Sequence, residues 1–392
     1  MGWPKRTEVE SRLEFVLKAE RGEFSFTQLC KAFDVSRKTG YKWLERYQQE
    51  GVQGLKDRSR APKSQPSRTC EEVVELVLQL RDKRPTWGAK KLKARLERLH
   101  PELAFPARST IHDILKREGR VTPRRRRRKH APSARPLIET TTPNDVWCTD
   151  FKGEFLTGDG RYCYPLTTSD WATRYLLGCH GQRSTKGVRA RESFEQLFET
   201  YGLPRVILSD NGVPFAHPNT LCRLSALSLW WLQLGIDVVR IQPSHPEQNG
   251  RHERMHRTLK AEATRPASAN LQQQQARFDL FREDYNHQRP HEALGFAVPA
   301  EHYERSVRGP QPWSGAYPAH FEVRKVDVSG AIKLNSKKHF LTILLTREHL
   351  GLEEIEEQQW RVYYRNYLLA HLDESTGRID EVGPTPVRME WN

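Results

Sequence analysis

V-W-C-T-D-F at 146–151 and V-I-L-S-D-N-G at 206–212 decide how this chain is read. Each is a short apolar, β-rich run that ends on a carboxylate, Asp150 in the first and Asp210 in the second. A third stretch, Q-N-G-R-H-E-R-M-H-R-T-L-K at 248–260, opens a helix with Glu253 and carries Lys260 seven residues further on. Hard divalent ions such as Mg²⁺ take oxygen ligands, usually only a few of them from protein, and leave positions for water and phosphate. Two such ions about 4 Å apart can clamp the attacking and leaving oxygens of a phosphodiester. Three carboxylates in these contexts therefore point to phosphoryl transfer on a nucleic acid.

Composition agrees with that chemistry. The 392 residues exceed one ordinary core and suggest two to four domains. Lys and Arg outnumber Asp and Glu by 64 to 49, a formal charge of +15 that attracts phosphate backbones. The six cysteines are scattered and form no C-x-x-C pair, so they read as reduced thiols of an intracellular protein. No apolar stretch approaches the ~20 residues that span a bilayer, and no signal-peptide core opens the chain. The expectation is a cytoplasmic protein with no membrane partner. H-E-R-M-H at 252–256 formally fits the H-E-x-x-H zinc-protease pattern. That reading needs a third ligand from elsewhere and leaves Asp150 and Asp210 without a role.

The rest of the chain falls into blocks. Residues 1–58 read as a helix-turn-helix domain: Val9–Ala19 has apolar residues at helical spacing, Thr27 can cap a second helix, and Ser36 caps a third. This grammar places Arg37, Lys38, Thr39 and Lys42 on the exposed face of a recognition helix; an ordinary helical hairpin would share the pattern. Residues 59–69 are a Pro/Ser-rich linker. Residues 70–120 form a second helical block, with helices over Glu71–Arg81 and Trp87–Leu99 and a third capped by Ser109. In the 121–135 linker, Arg124, Arg125, Arg126, Arg127 and Arg128 form a like-charge run suited to a phosphate backbone or minor groove. Residues 136–300 alternate strands and helices and imply a mixed sheet covered by helices. After a 301–320 linker, 321–392 reads as a small antiparallel β-barrel.

The arrangement resembles the retroviral-integrase-like DDE transposases of bacterial insertion sequences. The core motifs that carry it are W-C-T-D-F-K-G-E-F (147–155), S-D-N-G-V-P-F (209–215) and S-H-P-E-Q-N-G-R-H-E-R-M-H-R-T-L-K (244–260). Y-N-H-Q-R-P-H-E-A-L-G (285–295) is a further family-like signature. The fold class implied is multidomain α+β: helix-turn-helix modules, a ribonuclease-H-like α/β core and the small barrel. Residue by residue, Asp150, Asp210 and Glu253 match the catalytic and metal-binding triad, with Glu247 and Glu262 outside it. Asp170 is the nearest rival to Asp150, in a structural or positioning role. Lys260 matches a phosphate-holding cation, and helical spacing puts His256 and Arg257 on the same face as Glu253.

What the resemblance implies is two Mg²⁺ ions per site, with Mn²⁺ as a substitute. The partners implied are double-stranded DNA, as terminal repeats and as target, and further copies of the chain, at least a dimer on DNA. The host would be bacterial and the protein nucleoid-associated. Water would cut a phosphodiester at the element end, and the freed 3′-OH would attack the target. The alternative expectation is a sequence-specific DNA-binding regulator or relic with an inactive core.

Overall fold

The computed structural model describes residues 7–58, 69–121, 138, 140–242, 246–311, 313 and 316–390. The arginine run at 124–128 lies outside these residues. The chain divides into two compact units, Met1–Arg68 and Thr69–Asn392. None of the helices among the described residues is long and apolar enough to cross a membrane.

Among the described residues the first unit holds the helices α1 (Glu8–Arg21), α2 (Phe26–Ala32) and α3 (Arg37–Glu50), followed by a 3-10 turn over Gly51–Leu55. Thr7 and Glu10 close a capping box at α1, and Ser36 accepts from the Thr39 amide at α3. The α2 cap is Ser25 rather than Thr27, because Gln28 stands three residues after Ser25 and completes a reciprocal box. Phe15, Val16, Leu29, Cys30, Trp43 and Leu55 form the core. Gly40 lets α3 approach: a Cβ there would lie 2.9 Å from both Cys30 Sγ and Phe15 Cζ.

The second unit begins with α4 (Glu71–Lys83), α5 (Ala89–Leu99) and α6 (Arg108–Arg117), packed around Val77, Trp87, Leu92, Leu96, Ile111 and Leu115. Helix α6 starts one residue before Ser109, with Ala107 at the cap and no side-chain cap bond. Then come β1 (Val146–Phe151), β2 (Phe155–Leu156), β3 (Tyr162–Asp170), β4 (Leu176–Gln182), α7 (Gly187–Tyr201), β5 (Val206–Ser209), α8 (Ala226–Gln233), β6 (Asp237–Arg240), α9 (Gly250–Ala263) and α10 (Leu271–His287). A short 3-10 turn over Leu221–Arg223 precedes α8. Strand β1 pairs antiparallel with β3 and parallel with β5, which pairs parallel with β6; β2 and β4 also pair with β3.

Strand alternation sorts the faces. Trp147 and Ile207 enter the cluster with Phe194 of α7 and Trp231 of α8. Val146, Cys148, Val206 and Leu208 point to the other face. Asp150 and Asp210 share that second parity.

The C-terminal strands are β7 (Glu322–Lys325), β8 (Ala331–Leu334), β9 (Lys337–Phe340), β10 (His349–Glu356), β11 (Gln359–Tyr364), β12 (Tyr367–Asp373), β13 (Arg378–Glu381) and β14 (Val387–Arg388). They correct the expected barrel. The order β13-β12-β11-β10-β7, with β14 on β12, leaves an open sheet, and β8–β9 is a separate hairpin. Closure is unnecessary because one face is already covered: Val362, Tyr364, Tyr367, Leu369 and Leu372 join the same cluster as Trp231 and Leu232. Tyr367 Oη donates to Asp237 at 2.7 Å, Arg388 pairs with Asp237 at 2.6 Å, and Arg365 donates to the Gln233 carbonyl at 2.7 Å.

Candidate functional site

Register brings the two aspartates together. Trp147 pairs with Ile207 and Cys148 with Leu208 in the parallel β1–β5 ladder. Two residues beyond that ladder, Asp150 stands on β1 and Asp210 in the turn just after β5, close enough that the charge of Asp210 acts on Asp150. The Asn-Gly after Asp210 turns the chain so that the Gly212 amide donates to Asp210 Oδ1 at 3.0 Å. Asn211 Nδ2 anchors the turn on the Ile241 carbonyl at 2.7 Å.

Both carboxyls are costly to ionise where they stand. Burial, then the charge of Asp210, pushes Asp150 up to about 7, and Glu253 adds in the same direction. Asp210 is also raised by burial, against the pull of the Gly212 amide. Glu253 itself is exposed on the first turn of α9. Among the described residues, no group of three or more His, Cys, Asp or Glu side chains converges to hold a metal ion. The aspartate pair alone fits Mg²⁺, which binds through one or two carboxylates and keeps its remaining positions for water and phosphate. A cation there would offset the repulsion that raises Asp150.

Helix α9 is fixed against this pair by a buried polar seam. Thr167, the β3 partner of Asp150, donates its hydroxyl to the Asp150 carbonyl at 3.0 Å. One hydroxyl carries one proton, so Thr167 accepts from His252 Nε2 and His256 Nε2, each at 2.7 Å. Both imidazoles are then neutral Nε2–H forms, and Ser169 Oγ donates to His252 Nδ1 at 3.0 Å. Burial agrees, pushing His252 down to about 3 and His256 to about 2. His256 is thus withdrawn from the DNA-facing set: it is buried, with its Nδ1 3.7 Å from Asp150 Oδ2. The same seam removes the zinc-protease reading, because both histidines are committed to Thr167.

Arg257 and Lys260 stand exposed on α9. Lys152 is the cation that sequence reading passed over. Two residues after Asp150, it is lowered by burial and then by the charge of Lys260, and raised by Asp150. Its i, i+2 relation to Asp150 was the available signal. Asp170 is a structural staple, accepting from the Asn144 amide at 2.8 Å and from the Thr173 amide and hydroxyl at 2.7 Å each. Glu262 pairs with Arg289 at 2.6 Å. In the first unit, Arg37, Lys38 and Lys42 are exposed on α3, while Thr39 is half-buried with its hydroxyl 2.9 Å from that of Ser36.

Family models match along most of the chain. An integrase core domain matches at residues 140–246 and again at 234–299, a helix-turn-helix domain at 11–63 and a homeodomain-like domain at 39–115. An uncharacterized 31.7 kDa protein of insertion element IS407 from Burkholderia multivorans is 25% identical over 240 residues, 61% of this chain and 83% of that protein. An uncharacterized 39.2 kDa protein of insertion element IS476 from Xanthomonas euvesicatoria is 26% identical over 205 residues, 52% of this chain and 57% of that one. The HTLV-2 integrase catalytic core domain overlays with a TM-score of 0.33 at 13% identity, over 43% of this chain and 100% of that one. The fold and the matches define a mixed α+β protein with a helix-turn-helix N-terminus and an integrase core domain. The chain carries integrase-core and helix-turn-helix matches and is similar to proteins of insertion elements.

Proposed function

We propose that this protein is a transposase that binds the DNA ends of an insertion sequence, cuts them, and joins the freed 3′-ends to target DNA. The observation that carries the reading is the juxtaposition of Asp150, on β1, with Asp210, in the turn that follows the adjacent parallel strand β5: burial and then the charge of Asp210 push the Asp150 carboxyl up to about 7. Asp150 and Asp210 would hold Mg²⁺, with Glu253 as the third carboxylate. When bound, the ions supply Lewis acidity at the phosphodiester and charge stabilisation in the transition state.

The chain's own residues position and neutralise. Water attacks phosphorus at the element end and the 3′-oxygen leaves as a hydroxyl; that hydroxyl then attacks a target phosphodiester and displaces its own 3′-oxygen. Lys152 lies beside Asp150, and Lys260 near Lys152, where their charge would hold the scissile phosphate and stabilise the charge that develops on it. Arg257 adds a backbone contact. Arg37, Lys38 and Lys42 on α3 would dock the first module in a major groove, with Thr39 serving the helix cap. The insertion-element relatives support DNA ends as the substrate. Two ends must be joined to one target, which requires at least two copies of the chain on DNA.

The test is an in vitro strand-transfer assay with the DNA flanking the gene, a supercoiled target and Mg²⁺ or Mn²⁺, with Asp210→Asn alongside. Joined products that vanish in the variant while end binding persists establish the reading. Tight end binding without products in either metal replaces it with a DNA-binding regulator.

A further inference from the structure

The Y-N-H-Q-R-P-H-E-A-L-G stretch takes no part in the carboxylate site, yet its residues build a second one. Tyr285, Arg289 and His291 wall a cavity of about 320 Å³ that Lys91, Arg174, Arg251 and Arg254 also line. Lys91 comes from α5 of the second helical module, Arg174 from the β3–β4 turn, and Arg251 and Arg254 from α9. Five cations thus meet across one small space. The carboxylate on its rim, Glu292, is engaged by Lys90, and Glu262 behind it by Arg289.

The cations crowd one another. Burial and then the Arg251 charge bring the Arg174 guanidinium down to about 10. Burial and then the Arg289 charge bring Lys91 down to about 8, with Glu262 and Glu292 pulling the other way. His291 Nε2, buried in the same wall, has no hydrogen-bond partner among the described residues. An anion in the cavity relieves the first strain, and it raises the proton affinity of that nitrogen, which then gains a partner.

Helix α9 relates this cavity to the carboxylates. At about 100° per residue, Arg251, Arg254 and Thr258 lie on one flank of α9 and Glu253, Arg257 and Lys260 on the opposite flank. The buried face with Met255 and Leu259 lies between them. We propose that the cavity is a phosphate site for the backbone of duplex DNA, through which one phosphodiester bridges the second helical module to the core. This rests on the reading of the chain as a DNA strand-transfer enzyme. DNA is favoured over free phosphate by geometry: a helix is roughly 10 Å across, a span a few nucleotides cover at ~3.4 Å rise each.

Per-lysine acetylation of the full-length protein, read by mass spectrometry, tests it in three states: free, with a duplex from the flanking DNA, and with inorganic phosphate. The duplex is expected to protect Lys91 strongly and phosphate alone weakly. In parallel, Arg254→Gln, an exposed position, is expected to lower the salt slope of DNA binding by about one, so that affinity falls about threefold less than the parent's between 50 and 200 mM salt. DNA that binds in a gel shift while Lys91 reacts at its free rate overturns the site and leaves the strand-transfer reading standing. Equal protection by inorganic phosphate, with an unchanged slope in Arg254→Gln, overturns the DNA assignment in favour of free phosphate. Failure to bind any flanking duplex overturns both readings.

Discussion

The two flanks of α9 are held in opposite ways. On the carboxylate flank, a dry polar seam fixes the helix: one threonine hydroxyl serves the Asp150 carbonyl and two neutral imidazoles. On the basic flank, a separate helical module is attached largely by charge. Arg84 pairs with Asp284, Lys90 with Glu292 and Arg98 with Glu301, while Arg289 sits 5.9 Å over the Trp87 ring. Buried hydrogen bonds lock a single geometry because leaving one unmade is costly, whereas half-exposed ion pairs are weak and screened by salt. The proposed chemistry therefore stands on the flank held by buried hydrogen bonds, and the flank proposed to take up DNA stands on parts that can separate.

The largest break in that contrast is Trp87→Ala. Trp87 is 1% exposed at the centre of the module's core and carries guanidinium groups over its ring from Arg84 and Arg289. Its truncation is expected to cost about 3–5 kcal/mol of module stability. The module's melting transition should fall well below that of the integrase core, seen as early protease cleavage within 70–120 while 140–300 stays protected. Loss of both regions together would mean the module and core unfold as one body, and the contrast would fail.

Next comes Thr167→Val, which keeps volume and removes the hydroxyl. Two buried Nε2–H donors lose their acceptor, at about 1–3 kcal/mol for each buried group left unmade. A lowered midpoint in urea, with much of it restored in Thr167→Ser, is the expected result. A valine variant as stable as the parent would show that the histidines find other partners and that the seam does not fix α9.

How much of this could be read from the chain depends on the range of the forces involved. Strand alternation and a terminal carboxylate are local, so β1, β5 and the Asp150–Asp210 pair were legible, as was the Ser36 cap. Counting residues along α9 puts Arg257 and Lys260 on one face with Glu253, and all three are exposed. His256 sits between the solvent flank and the buried face, and only the presence of Thr167, 89 residues away, decides that it turns inward. The Ser25 cap lost to Thr27 in reading because the reciprocal Gln28 bond was not weighed. The C-terminal strands were recognisable by their alternation, but whether they close depends on Trp231 and Leu232 of a distant helix. The basic cavity was legible only in part: Y-N-H-Q-R-P-H-E-A-L-G marks Tyr285, Arg289 and His291, but the cations come from four segments and nothing local brings Lys91 and Arg174 to them.

The smallest effect is expected at Arg98→Ala. Arg98 forks onto Glu301, with Nη1–Oε1 at 2.5 Å and Nη2–Oε2 at 2.9 Å, both side chains well exposed. The hydrogen bond to Arg98 is the main cause holding the Glu301 carboxyl below its ordinary range. A group depressed in the folded state stabilises it above the unfolded pKa and loses that contribution as pH falls through the folded value. The pair's share is therefore present at neutral pH and lost under acid, and solvent screening limits it to about 1 kcal/mol or less. Thermal melts of Arg98→Ala and the parent should differ slightly at pH 7 in low salt and coincide at acid pH or high salt. A large difference that survives high salt would mean that the charged edge of the module, and not Trp87, is what seats it on the core.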